Sequence, residues 1–208
     1  TLQPASVPKV LNLSFGTKFP TACGSTYQWV TNFARSRGIA LVAAAGNDNR
    51  DVSGTAPANC PGVIAVAATD SFGARTPFSA FGAGISLSAP GVSVGTTSVV
   101  GTGSPGAEEY FNYSGTSAAA PVVSGVVALV QSRRALLGLA PMTPSDIEVL
   151  LKSTANPIVS NCPGGCGAGI VHAYEAVVRA GQSAPRGYGA GSLALAAGTV
   201  VDAVSIKI

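Results

Sequence analysis

Ser117 stands between a glycine turn and an apolar run, in Gly115-Thr116-Ser117-Ala118-Ala119-Ala120-Pro121. A serine at that junction exposes its hydroxyl at the positive end of a helix dipole, where an alkoxide or acyl intermediate can be handled. The plainer role for such a residue is an N-cap, which any helix can use. A second candidate, Asn47, closes the run Val42-Ala43-Ala44-Ala45-Gly46. Read from the residue alone, it suits a tight turn after a strand. Asp48 beside it reads by itself as a solvated loop acid. His172 is the sole histidine, and its place before Ala173 reads as a helix cap rather than a general base. Glu108 and Glu109 are adjacent, and neighbours along a chain rarely face one cleft, so they read as a solvated loop pair.

The elements that must hold these residues are legible in the pattern. Lys9 to Ser14 reads as a short buried strand ended by Gly16. Cys23 to Arg37 has helical spacing through Tyr27, Val30, Phe33 and Ala34, with Gly38 as its stop. Ile39 to Ala45 and Val63 to Ala68 are continuous apolar strands. Such strands around a helix imply a parallel sheet covered on both faces. Glycine-rich short strands follow to Gly115, with Thr97 to Tyr113 as a surface excursion. A long helix is expected from about Ser117 to Leu137, with Pro121 near its first turn. Thr143-Pro144-Ser145-Asp146 is a capping box that opens a helix to about Ser153. A last helix runs from about His172 to Ala180. The division expected is a domain over 1–180, then a linker and a terminal strand over 181–208, the strand at Thr199 to Ile208.

Bulk properties narrow the class. At 208 residues the chain can bury one domain. It has 26 glycines and is 47% hydrophobic and only 10% charged, which describes a tightly packed protein. The net charge of +3 is scattered, so no nucleic-acid surface is expected. The apolar run Ala118 to Val130 is shorter than the roughly 20 residues that span a bilayer. Low charge and four cysteines fit a secreted protein with disulfides. Cys162 and Cys166 could close a local loop, leaving Cys23 and Cys60 for a longer bridge; a zinc site is the weaker alternative. Connectivity stays open at this point. The sequons Asn12 to Ser14 and Asn112 to Ser114 overlap the candidate motifs and carry little weight.

Three segments occur in one order: Val10 to Gly16, Val42 to Asp48 and Gly115 to Pro121. With Ser88 to Gly91 and Gly169 to Ala173 behind them, the chain resembles the subtilisin family of serine peptidases (subtilases) over roughly residues 9 to 180. The resemblance implies the C-terminal portion of the catalytic domain. The fold would be α/β and three-layered, with a mostly parallel sheet, incomplete for want of its N-terminal part. It implies Ser117 as nucleophile and Asn47 as side-chain oxyanion donor beside the Ser117 amide. Ser14, Phe15 and Gly16 would face Ala44, Gly46 and Asp48 across the P1 side chain of an extended polypeptide substrate. Asp48 at the rim suggests a modest preference for basic or polar P1 residues.

The family orders its triad aspartate, histidine, serine. No Asp-x-Gly or His-Gly-Thr motif occurs here. The expectation is a processed product whose aspartate and histidine come from an upstream segment or an associated N-terminal fragment. Alone, this polypeptide is expected to be nearly inert. No cofactor is expected on this chain. Calcium would enter through the missing N-terminal part, and Ser86 replaces an acid near a weaker family cation site at Ala58, Cys60 and Val63. The competing expectation is a non-catalytic binding or scaffold module on the same fold.

Overall fold

The computed structural model describes residues 9–100, 106–158, 162 and 164–182. Within them, strands β1 (Lys9–Leu13), β2 (Ile39–Ala44), β3 (Val63–Thr69) and β4 (Leu87–Pro90) pair in that order. All three pairings are parallel, with Val10 opposite Ala40, Leu41 opposite Val63 and Val66 opposite Leu87. Side chains alternate across a strand, so a continuous apolar strand must be covered twice. Ala40, Val42 and Ala44 meet one core, and Leu41, Ala43 and Ala45 the other.

The first core is closed by α2 (Thr116–Leu136), α3 (Pro144–Thr154) and α4 (Ala173–Ala180). Val123, Val127 and Val130 of α2 are fully buried there. The second core is closed by α1 (Ser25–Ser36) through Ala34, and by the loops carrying Val52, Ala58 and Ile85. Helix, sheet and helix form the three layers of an α/β fold. Thr143 caps α3 as its sequence requires: its Oγ1 accepts from the Asp146 N–H at 3.2 Å and donates to the Asp146 carboxylate at 2.7 Å.

Several boundaries differ from expectation. Helix α1 starts at Ser25, and its Tyr27, Val30 and Phe33 are exposed rather than buried, because α1 turns Thr31 and Ala34 to the sheet. The surface excursion is an antiparallel hairpin of β5 (Val94–Val99) and β6 (Glu108–Tyr113), with all of β6 exposed. Helix α2 starts at Thr116, and Pro121 is its sixth residue, in the second turn rather than near the first. Two disulfides join Cys23 to Cys60 and Cys162 to Cys166. The first ties the approach to α1 to the entry of β3. The expected strand at 199–208 and all of the linker beyond 182 lie outside the described residues.

Candidate active site

In parallel α/β sheets, functional loops gather where the strands end. Here the loop after β1 carries Ser14 to Lys18, the loop after β2 carries Gly46 to Arg50, and the turn into α2 carries Gly115 to Ser117. Gly91, just after β4, accepts the Gly115 N–H at 2.8 Å and so fixes that turn to the sheet. Gly46 has φ +111°, and a Cβ there would lie 3.3 Å from Thr55 Oγ1, so the loop can pass Thr55 only as glycine.

Ser117 and Ser14 are clamped together. Ser14 Oγ donates to the Ser117 carbonyl at 2.8 Å, and Ser117 Oγ donates to the Ser14 carbonyl at 3.1 Å. The first bond has a cause in the sequence. A helix residue at 121 would normally donate its N–H to the carbonyl four residues back, that of Ser117. Pro121 has no N–H, so that carbonyl needs another donor, and Ser14 supplies it. Asn12 Nδ2 in turn donates to Ser14 Oγ at 2.9 Å, and Ser124 Oγ donates to Asn12 Oδ1 at 3.0 Å.

Asn47 is oriented just as firmly. Its Oδ1 accepts from both the Thr116 N–H and the Thr116 hydroxyl, each at 2.8 Å. Thr116 Oγ1 also accepts the Gly46 N–H at 3.1 Å. Oxygen and nitrogen of the amide are thereby distinguished, and Nδ2 is the end left facing outward. A Cβ built on Gly115 would lie 3.3 Å from Asn47 Nδ2 and 3.6 Å from the Ser117 nitrogen. The position beside Gly115 is therefore within reach of two nitrogen donors, with a Tyr113 ring carbon 3.7 Å away on a further side. Such a pair can hold a developing oxyanion.

Beside this position is a cavity of about 180 Å³, lined by Phe15, Gly16, Thr17, Lys18, Ala44, Gly46, Asn47, Asp48, Thr55, Thr116 and Ser117. Of the residues expected to bind substrate, Phe15, Gly16, Ala44, Gly46 and Asp48 line it. Ser14 does not; its groups are spent on Ser117. Ala43 and Ala45, on either side of Ala44, are fully buried in the second core.

Four further residues had escaped sequence reasoning: Thr17, Lys18, Arg50 and Thr55. Arg50 donates to the Thr17 carbonyl at 2.7 Å, the Lys18 carbonyl at 2.9 Å and Thr55 Oγ1 at 3.4 Å. It also pairs with Asp48 at 3.5 Å. An arginine two positions from an acid in a loop is the only local hint of this. Nearby, Asp51 accepts the Ser53 N–H at 2.8 Å, and that hydrogen bond, with a contribution from the Ser53 side chain, lowers its pKa. His172 caps α4, with Nδ1 accepting the Glu175 N–H at 3.1 Å.

A model of the Subtilase family matches residues 4–191. An "Extracellular protease" of Xanthomonas campestris pv. campestris is 51% identical over 178 residues, 85% of this chain and 29% of that protein. An "Extracellular basic protease" of Dichelobacter nodosus is 39% identical over 169 residues, 81% of this chain and 28% of that protein. Among solved structures, a protease from Pseudoalteromonas arctica superposes with TM-score 0.76 at 38% identity, covering 82% of this chain and 51% of that one. The chain thus spans under a third of the curated relatives and about half of the solved one.

Proposed function

The chain belongs to the subtilase family, and from that premise we propose that it is the nucleophile-bearing part of a secreted serine endopeptidase. Ser117 Oγ attacks the scissile carbonyl carbon. The oxyanion that forms lies in the space beside Gly115, held by Asn47 Nδ2–H and the Ser117 N–H. The peptide nitrogen leaves with a proton, and water then hydrolyses the Ser117 ester. The single observation that carries this reading is the pair of nitrogen donors within reach of one position, at a helix start that carries a serine.

A base is needed to take the Ser117 proton, because a free serine hydroxyl is a poor nucleophile at neutral pH. In the structure that proton is directed to the Ser14 carbonyl, which cannot accept it covalently. We assign the base and its orienting acid, a histidine and an aspartate, to an upstream segment or an associated fragment. Two surfaces support a partner there. Among the described residues β1 is the terminal strand of the four-stranded order and pairs there with β2. A groove of about 240 Å³ between β1 and α2 is walled by Val10, Val127, Ala128 and Ala135. The substrate is a polypeptide lying extended across Gly16 and Gly46, with its P1 side chain in the 180 Å³ cavity.

We assign residues 1–180 to the catalytic part and 181–208 to the linker and terminal strand. Secretion accords with the two disulfides and with relatives named as extracellular. No helix among the described residues is long and apolar enough to cross a membrane. The test is labelling of the assembled protein by a fluorophosphonate probe. An adduct on Ser117 that disappears in Ser117→Ala is the expected result. Absence of the adduct in assembled material rejects the peptidase in favour of a scaffold module.

A further inference from the structure

We propose that Arg50 is the specificity-determining residue of the P1 cavity, answering the Asp48 carboxylate so that the pocket takes neutral rather than basic side chains. The inference rests on the peptidase reading and names the substrate class of that site. From sequence, Asp48 alone suggested a basic or polar preference. In the structure it is not alone.

Arg50 lies behind the cavity and touches four of its lining residues. One terminal nitrogen donates to the Thr17 carbonyl and the other to the Lys18 carbonyl, while Nε reaches Thr55 Oγ1. The planar fork of a guanidinium suits two successive carbonyls in a way that an ammonium cannot. Those bonds hold the wall after β1, and the ion pair to Asp48 Oδ2 at 3.5 Å holds the wall after β2. Thr55 fills the gap between them: a Cβ on Gly16 would come within 2.9 Å of its Cγ2. One cation therefore spans the pocket from one wall to the other.

Charge follows from the same geometry. Arg50 is only 21% exposed and Asp48 55% exposed, so the guanidinium stays at its post while the carboxylate sits at the rim. Lys18 lines the same cavity, with its carbonyl bound to Arg50 and its ammonium over the Phe19 ring outside it. A lysine or arginine P1 side chain entering here would meet a carboxylate already paired with the Arg50 guanidinium. A neutral side chain desolvates without competing for that carboxylate.

The experiment uses the intact enzyme and a pair of peptide substrates that differ only in Lys or Phe at P1. Rates are normalised to titratable Ser117, so misfolded protein drops out of the comparison. Arg50→Gln is expected to raise the Lys-to-Phe ratio of kcat/KM by about three- to fivefold, the scale of a partly exposed ion pair, mainly through KM. Asp48→Asn is expected to lower the ratio by a similar factor. The double variant returns it close to wild type, and Arg50→Lys, which keeps the charge, leaves it there. An unchanged ratio in active Arg50→Gln enzyme overturns this inference alone, as does an Arg50→Lys shift as large as that of Arg50→Gln. No titratable serine in the wild-type enzyme overturns the peptidase reading and this inference with it.

Discussion

Ser14→Ala tests whether the Ser117 carbonyl depends on a hydroxyl because of a proline. The bond removed is Ser14 Oγ to the Ser117 carbonyl, 2.8 Å long and partly buried. A neutral hydrogen bond of this kind nets about 1 kcal/mol, and the orphaned carbonyl brings the loss to about 1–2 kcal/mol. For a domain of this size each kcal/mol moves Tm by about 2–4 °C. The exposed Asn12 amide, which also loses a partner, recovers water and adds little. Pro121→Ala places an N–H four residues after Ser117, where the helix geometry aims it at the same carbonyl. In that background Ser14→Ala should cost about 0.5 kcal/mol or less, a coupling of about 1 kcal/mol. Pro121→Ala will itself change stability, since proline disfavours a helix interior, but the cycle subtracts that term. The measurement is thermal and urea unfolding of the four proteins as intact enzyme in a Ser117→Ala background. That background prevents self-digestion and leaves the carbonyl at 117 in place. Equal costs of Ser14→Ala with and without the proline would refute the reasoning.

Gly115→Ala puts a methyl carbon 3.3 Å from Asn47 Nδ2 and 3.6 Å from the Ser117 nitrogen, in the space assigned to the oxyanion. Steady-state kinetics should show kcat lower by about a hundredfold or more with KM nearly constant, the scale on which subtilisin, of this same family, loses rate with one donor. Asp51 has its pKa lowered from 3.8 by the Ser53 hydrogen bonds. A carboxylate depressed on folding contributes stability above its unfolded pKa and loses it as pH falls through the folded value. Asp51→Asn should therefore destabilise near neutral pH, with the difference from wild type vanishing below that depressed pKa in acid-unfolding curves; a pH-independent difference would contradict the assignment. The two disulfides should differ in worth, because their sequence separations are 37 and 4 residues. Chain entropy alone assigns about 4 kcal/mol to Cys23–Cys60 and about 2 kcal/mol to Cys162–Cys166, checked by denaturant unfolding of Cys→Ser pairs.

Much of the architecture was legible because its causes are local. Continuous apolar strands such as Ile39 to Ala44 announce a sheet covered on both faces, and the capped start of α3 is written in Thr143 to Asp146. The candidate nucleophile and donor were legible through short motifs whose glycines suit the turns they make. Helix α1 was misread in part because apolar spacing shows which residues share a face, not which face meets the sheet. Thr31 and Ala34 turned inward, and Phe33 did not. In sequence Pro121 reads as lying near the first turn, where a missing N–H costs little, whereas its missing N–H leaves the Ser117 carbonyl to be satisfied by Ser14.

By itself, then, the sequence determined the residue types at the site and the elements that end there: a serine at a helix start, an amide after a strand and small residues along both walls. Tertiary structure alone decided how those groups point. The Asn47 amide is set by Thr116, 69 residues away, and the Ser117 carbonyl by Ser14, 103 residues away. Arg50 gained its place at the pocket from carbonyls 32 and 33 residues distant. Hydrogen bonds are short and directional, so their partners exist only once the sheet has brought the loop ends together. No local pattern carries that information, and it is these long-range bonds that turn three motifs into one site.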